Sequence, residues 1–315
     1  MPSGLVALLD DVTVIARAAA ASADDIAAAS GRAGSKTAGV VIDDAAVTPS
    51  YVNGLSPARE LPIIWKITKG SLFNKLVILL PAAMLLSQFL PSAIIWLLML
   101  GGAFLCYEGA EKVIEKLGGA KHGKTVEDTI EDPVEFEDQR VAGAIRTDMI
   151  LSAEIMAITL NEITLDLWWE RALALAAVAL VVTVAVYGVV ALIVKLDDIG
   201  LHLSEKDSPA VQKFGLFLVD SVPKLLTILS VVGTVAMLWV GGGIIVHGTH
   251  EVGFDLLYNI AHGAEYAVRG LTGALAGVAG WATYAAISAV IGLALGAVIA
   301  FVLHKVLGVG AHEAH

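Results

Sequence analysis

Between Arg171 and Lys195 the chain reads ALALAAVALVVTVAVYGVVALIV, 23 residues (172–194) without one Asp, Glu, Lys or Arg. About 20 apolar helical residues cross the roughly 30 Å hydrocarbon core of a bilayer, so this segment reads as a transmembrane helix bracketed by two cations. Three further uncharged runs flank it: Leu76 to Tyr107 (32 residues), Leu225 to Val246 (22 residues) and Gly270 to Leu303 (34 residues). The 315-residue composition agrees, being 57% hydrophobic and 16% charged, with a mean hydropathy of +0.78. A water-soluble domain and a disordered chain are both excluded. The fold class expected is an all-α polytopic transmembrane helical bundle.

The first run is awkward. Its 32 residues would make a helix of about 48 Å, too long for one straight span and too short for two. Pro81 and Pro91 interrupt it, with Ser87 and Gln88 between them, so a broken or re-entrant helix is expected there. Residues 1–75 read as an amphipathic helical region at the membrane surface, with Leu5, Leu8, Leu9, Val12 and Ile15 on one face. Residues 76–315 then form the transmembrane helical domain, interrupted by an acidic loop at 118–138. Met149 to Trp169 is helical but carries Glu154, Asn161, Glu162 and Asp166, which suits an interfacial or bundle-packed helix.

A formal net charge of −11 argues against nucleic acid, which needs clustered Lys and Arg. The partners expected are the lipid bilayer and a second copy of the chain; the small residues Gly273, Gly277, Ala285, Ser288, Gly292 and Gly296 would let a neighbouring helix approach closely. Cys106 is the one cysteine, so it forms no internal disulfide and packs as an apolar group. The opening MPSGLVALLDD has no cationic n-region, so the first helix is expected to be retained.

Two segments look alike: LMLGGAFLCYEGAEKV from Leu98 and LWVGGGIIVHGTHEV from Leu238, which set Gly101 and Gly102 against Gly241 and Gly242. This is a candidate internal repeat of the kind built around broken helices in transporters. After the second glycine group comes HGTHEVGFD, which puts His247, His250 and Glu251 on one helical face, with Asp255, His262 and Glu265 beyond. Imidazole with carboxylate suits a divalent metal or a proton relay. The order is not H-E-x-x-H, and no G-x-x-x-x-G-K-[ST] or G-x-S-x-G occurs, so an enzyme is not expected and no cofactor is implied.

The function these features suggest is a transporter or channel for a cation, a proton or a small solute. Its ion-binding residues would be Glu108, Glu111, Asp220, His247, His250 and Glu251, gathered between the two glycine groups, because carboxylates beside apolar helices are costly unless water, a cation or a partner meets them. The alternative is a membrane scaffold that docks partners through its N-terminal region and acidic loop. Lys and Arg number 7 in residues 1–75, 7 in 108–171 and 4 in 195–224. The two richest segments should be cytoplasmic, which puts 195–224 outside.

The N-terminal LLDD, the stretch ARELPIIWKITKGSLFNKLVIL, the block LLMLGGAFLCYEGAEKV and KLDDIGLHL together resemble the YedI-like family of bacterial inner-membrane proteins. The resemblance covers about residues 4 to 305 and implies a multi-span helical fold in the bacterial inner (cytoplasmic) membrane. That family is a domain of unknown function, so it brings no catalytic or ligand residues.

Overall fold

The computed structural model describes residues 20–35, 57–118 and 133–306, with positions 37, 41, 44 and 47 between the first two stretches. Helix α1 spans 20–35. Helix α2 (Pro57–Phe73) runs through a π-helical turn (Asn74–Leu79) into α3 (Leu80–Phe89). Then follow α4 (Pro91–Lys116), α5 (Pro133–Glu162), α6 (Trp168–Ser204), α7 (Pro209–Glu251), α8 (Leu256–Thr272) and α9 (Ala276–Phe301), which ends in a second π-helical turn (Val302–Val306). No strand occurs among the described residues. Among the described residues, five helices are long and apolar enough to cross a membrane: Arg59–Phe89, Pro91–Lys116, Trp168–Ser204, Pro209–Glu251 and Ala276–His304.

The awkward apolar run is resolved by borrowing from the residues before it. The helix from Arg59 to Phe89 has 31 residues and passes straight through position 75, while Pro91–Lys116 has 26, so each arm can span alone. The break falls at Leu90 (φ −145°, ψ 63°), because a proline at 91 pushes the residue before it out of the helical region. The expected broken helix is thus a hairpin of two long arms.

Glycines set the packing of α4, α7 and α9. A Cβ on Gly102 would lie 3.0 Å from the Gly241 carbonyl oxygen, one on Gly242 1.9 Å from that of Ser288, and one on Gly296 2.0 Å from that of Cys106. Backbone meets backbone at these crossings, as the small-residue stripe of the last run predicts. Cys106 is fully buried there. Gly102 faces Gly241 while Gly248 faces Ile95, so α4 and α7 are antiparallel.

The same reasoning orders the whole bundle. Arg59 pairs with Glu137 and Lys66 with Asp138. Gly70 faces Ile145, and Lys75 meets Asp148. Helix α5 therefore runs parallel to the first arm from one end of the bundle to the other. Val190 and Val194 of α6 pack on Ile63 and Ile64, and Gly200 lies on the Gly215 backbone. The ends of α2, α4, α6 and α9 that carry Arg59, Lys112, Lys195 and His304 accordingly share one face of the bundle, here the basic face. Leu90, Asn161, Trp168 and Glu251 lie at the other. This corrects the expectation that 195–224 and 108–171 lie on opposite sides. The reason is α5: its charges hide it from hydropathy, yet it runs the length of the bundle from the basic face to the opposite one.

The N-terminal region also departs from the surface position expected of it. Ala33 is buried among Met156, Ala174 and Val178, and Val47 among Leu105, Leu151 and Met237. Polar as its sequence is, this segment inserts small side chains between the long helices. The apolar face from Leu5 to Ile15, and residues 119–132 of the acidic loop, lie outside the described residues. Of that loop, Glu135, Glu137 and Asp138 stand on the first turns of α5.

Candidate functional site

The π-helical turn after α2 places Lys75 inside the bundle. Its ammonium lies 3.2 Å from Asp148 Oδ1 and donates to Ser71 Oγ at 2.6 Å. Asp148 also accepts from Tyr187 Oη at 2.7 Å and from Ser152 Oγ at 3.2 Å. Lys75 is 1% exposed and Asp148 3%. Asp44 is fully buried as well. Tyr187 belongs to the uncharged run 172–194, seven residues or about 10 Å from its end at Val194. The ion pair therefore lies at the depth of the hydrocarbon, where isolated charges are expensive and persist only when paired and hydrogen-bonded. A π-turn widens the helix locally, a feature that recurs at functional sites.

A cavity of about 960 Å³ opens at the face opposite the basic one. It follows α7 from Glu251 inward past His247 and Gly243 to Trp239, about 18 Å of helix at 1.5 Å per residue. Helix α5 contributes Glu154 and Asn161, and α9 contributes Trp281 and Tyr284. Glu154 is six residues beyond Asp148 on α5, about 9 Å along the helix. Cavity and buried network thus follow one another along the same helix.

The six residues expected to bind ions fall into three places. His247 and Glu251 line the cavity, 3.8 Å apart. His250, next to them, turns away to Asp255 at 2.6 Å. Glu108 and Glu111 lie toward the basic face, the first bonded to Lys112 and Thr147, the second to Tyr107 and His304. Asp220 pairs with Lys224 at 2.7 Å, as their i, i+4 spacing predicts, and both are exposed. The glycine groups meet at Gly102 and Gly241 as close-packed backbone, while Gly243 lines the cavity.

His250 at the end of α7 and His262 on α8 form an aromatic array with Tyr258 and Tyr284. His250 stacks on Tyr258 with centroids 4.0 Å apart, Tyr258 lies 4.2 Å from His262, and His262 4.9 Å from the cavity-lining Tyr284. Glu265 is buried beneath, held by His262 at 2.7 Å and Arg269 at 2.6 Å. Among the described residues, no three His, Cys, Asp or Glu side chains come together as metal ligands. The elements that follow the two glycine groups also differ, α5 having 30 residues and α8 only 17.

Sequence reasoning missed Lys75, Asp148 and Tyr187. Lys75 immediately precedes the first apolar run, and so looked like an edge. The available signal was Asp148 with Ser152, and Ser71 with Lys75, two polar i, i+4 pairs on otherwise apolar helix faces.

The long apolar helices, an ion pair at hydrocarbon depth and a cavity open at one face define a polytopic helical membrane protein. The chain belongs to the family described as protein of unknown function (DUF808), whose match covers residues 3–302. No curated protein and no solved structure matches the chain.

Proposed function

We propose that the protein moves a cation across the membrane, taking it up through the cavity from Glu251 to Trp239 and coupling its passage to the Lys75–Asp148 pair. The observation that carries this reading is the ion pair itself, enclosed at hydrocarbon depth with its tyrosine and serine partners. Two charges so placed add little stability that apolar side chains would not, and inside membrane helices such residues mark ion and proton paths. A proton or cation arriving at Asp148 competes with the Lys75 ammonium, which frees the π-turn to move. No catalysis is invoked. A bacterial inner membrane is the location that the sequence resemblance implies.

Purified protein in liposomes with a trapped pH-sensitive dye tests the proposal. The intact chain should dissipate an imposed cation or proton gradient faster than protein-free vesicles, and Asp148→Asn should abolish the difference. Flux equal to that of empty vesicles for protons, inorganic monovalent cations and organic ammonium ions alike would overturn the reading. A partner co-purifying in fixed ratio would then favour the scaffold alternative.

A further inference from the structure

The cavity is built for more than a bare ion. Trp96, Trp239, Trp281 and Tyr284 line it together with Glu154 and Glu251. Trp239 and Trp281 meet edge to face, with centroids 6.0 Å apart. Aromatic faces combined with carboxylates bind quaternary and alkylated ammonium groups, which are attracted to the ring quadrupole and need no hydrogen-bond acceptor. A small hydrated metal ion gains little from indole, so this lining favours an organic cation.

A second space adjoins the first. It measures about 370 Å³ and lies between the two arms of the hairpin and α5, walled by side chains such as Ile78, Leu86, Leu97, Met149 and Ile150. Ile94, Leu98 and Ala157 line both spaces, so a charged aromatic chamber and an apolar slot share one wall. The hairpin break at Leu90 spreads the arms that form the slot. The shape suits a cationic head with an apolar arm.

We infer that the paired cavities bind an amphiphilic organic cation, its ammonium group among Trp239, Trp281, Glu154 and Glu251 and its alkyl chain between α3 and α4. This deepens the proposed transport function by naming its substrate class, and it rests on that reading only for the fate of the ligand, since binding can be measured without flux.

The test uses the full chain in nanodiscs of phosphatidylglycerol, a lipid with no ammonium group, titrated with decyltrimethylammonium, tetramethylammonium and decanoate while tryptophan fluorescence is followed. Decyltrimethylammonium should give a saturable change at a concentration at least tenfold below that for tetramethylammonium, and decanoate none. Glu154→Gln should weaken decyltrimethylammonium at least tenfold. Glu251→Gln, at a half-exposed position where folding is not at stake, should weaken it as well. Equal responses to decanoate, or unchanged affinity in both variants, would overturn the inference, and equal affinity for the two ammonium ions would remove the alkyl arm. Saturable binding without any flux in liposomes would instead leave the site standing and overturn transport.

Discussion

Tyr187 donates its hydroxyl proton to Asp148 Oδ1, the same oxygen that lies 3.2 Å from the Lys75 ammonium. One carboxylate oxygen from α5 thus joins the first arm and α6, and the three helices are tied at a single point. If this were only a structural tie, apolar replacement would serve as well. Removing one member of a buried ion pair typically costs about 3–5 kcal/mol, whereas replacing both by apolar groups of similar size is often neutral. Lys75→Met and Asp148→Leu should each lower the thermal midpoint of unfolding in detergent, and the double variant should recover most of the loss. Cation flux should stay absent in the double variant, which separates the functional role from the structural one. A double variant as active as the intact chain would reduce the pair to packing.

Tyr187→Phe removes one hydrogen bond while keeping the ring. The expected stability change is about 1 kcal/mol, small beside the loss for either charged partner. Flux should fall more than stability does, because the hydroxyl is the group that can pass a proton to Asp148. Parallel measurement of unfolding midpoint and transport rate checks this, and a rate unchanged within error would assign the tyrosine to packing alone.

The ends of the bundle differ in charge, and that fixes an orientation. Arg59, Lys66, Lys112, Lys116, Arg140, Lys195, Lys206 and Lys213 belong to one face, whereas the other has Arg171 on the first turn of α6 and Arg269 on α8. Excess Lys and Arg mark the cytoplasmic side, so the cavity mouth at Glu251 should face outward. Single cysteines at Lys66 and Lys206, in a chain with Cys106 replaced by Ala, should react with a membrane-impermeant thiol reagent only from inside, and one at Ser92 only from outside. Labelling of positions 66 and 206 from opposite sides would restore the topology drawn from charge counts alone.

What the sequence disclosed and what it hid follow from one physical cause. Hydropathy reports whether a segment is apolar on average, and the four uncharged runs were therefore legible, as was the break at Pro91. Helix α5 was legible only in its second half, from Met149, as an interfacial or bundle-packed helix, and not over its full course, because its polar groups are met by partners distant in sequence: Asp148 by Lys75, 73 positions away, and Thr147 by Glu108, 39 positions away. A charge that is neutralised only in the fold looks like surface in the chain. The glycine groups were legible as places of close approach but not as each other's partners, since nothing local indicates which helix will cross at Gly102.

Neighbouring glycines on α7 make the sharpest contrast in the molecule and the most direct test of the cavity. A Cβ on Gly242 would lie 1.9 Å from the Ser288 carbonyl oxygen, a backbone atom that cannot move aside, whereas one on Gly243 would meet nothing nearer than the Tyr284 hydroxyl at 3.7 Å, an ordinary contact. Gly242→Ala should therefore force α7 and α9 apart, a strain of at least about 1–3 kcal/mol on the scale of overpacked cores, visible as a lower unfolding midpoint and poor yield. Gly243→Leu should leave the fold intact, and leucine in place of a mid-helix glycine even favours the helix by up to about 1 kcal/mol where space allows. The leucine side chain would stand in the cavity between Trp239 and His247, about midway along its length. Transport should then be blocked in a protein whose midpoint is unchanged or raised. A Gly243→Leu chain that folds and still carries cations at the original rate would show that the path does not pass through this cavity.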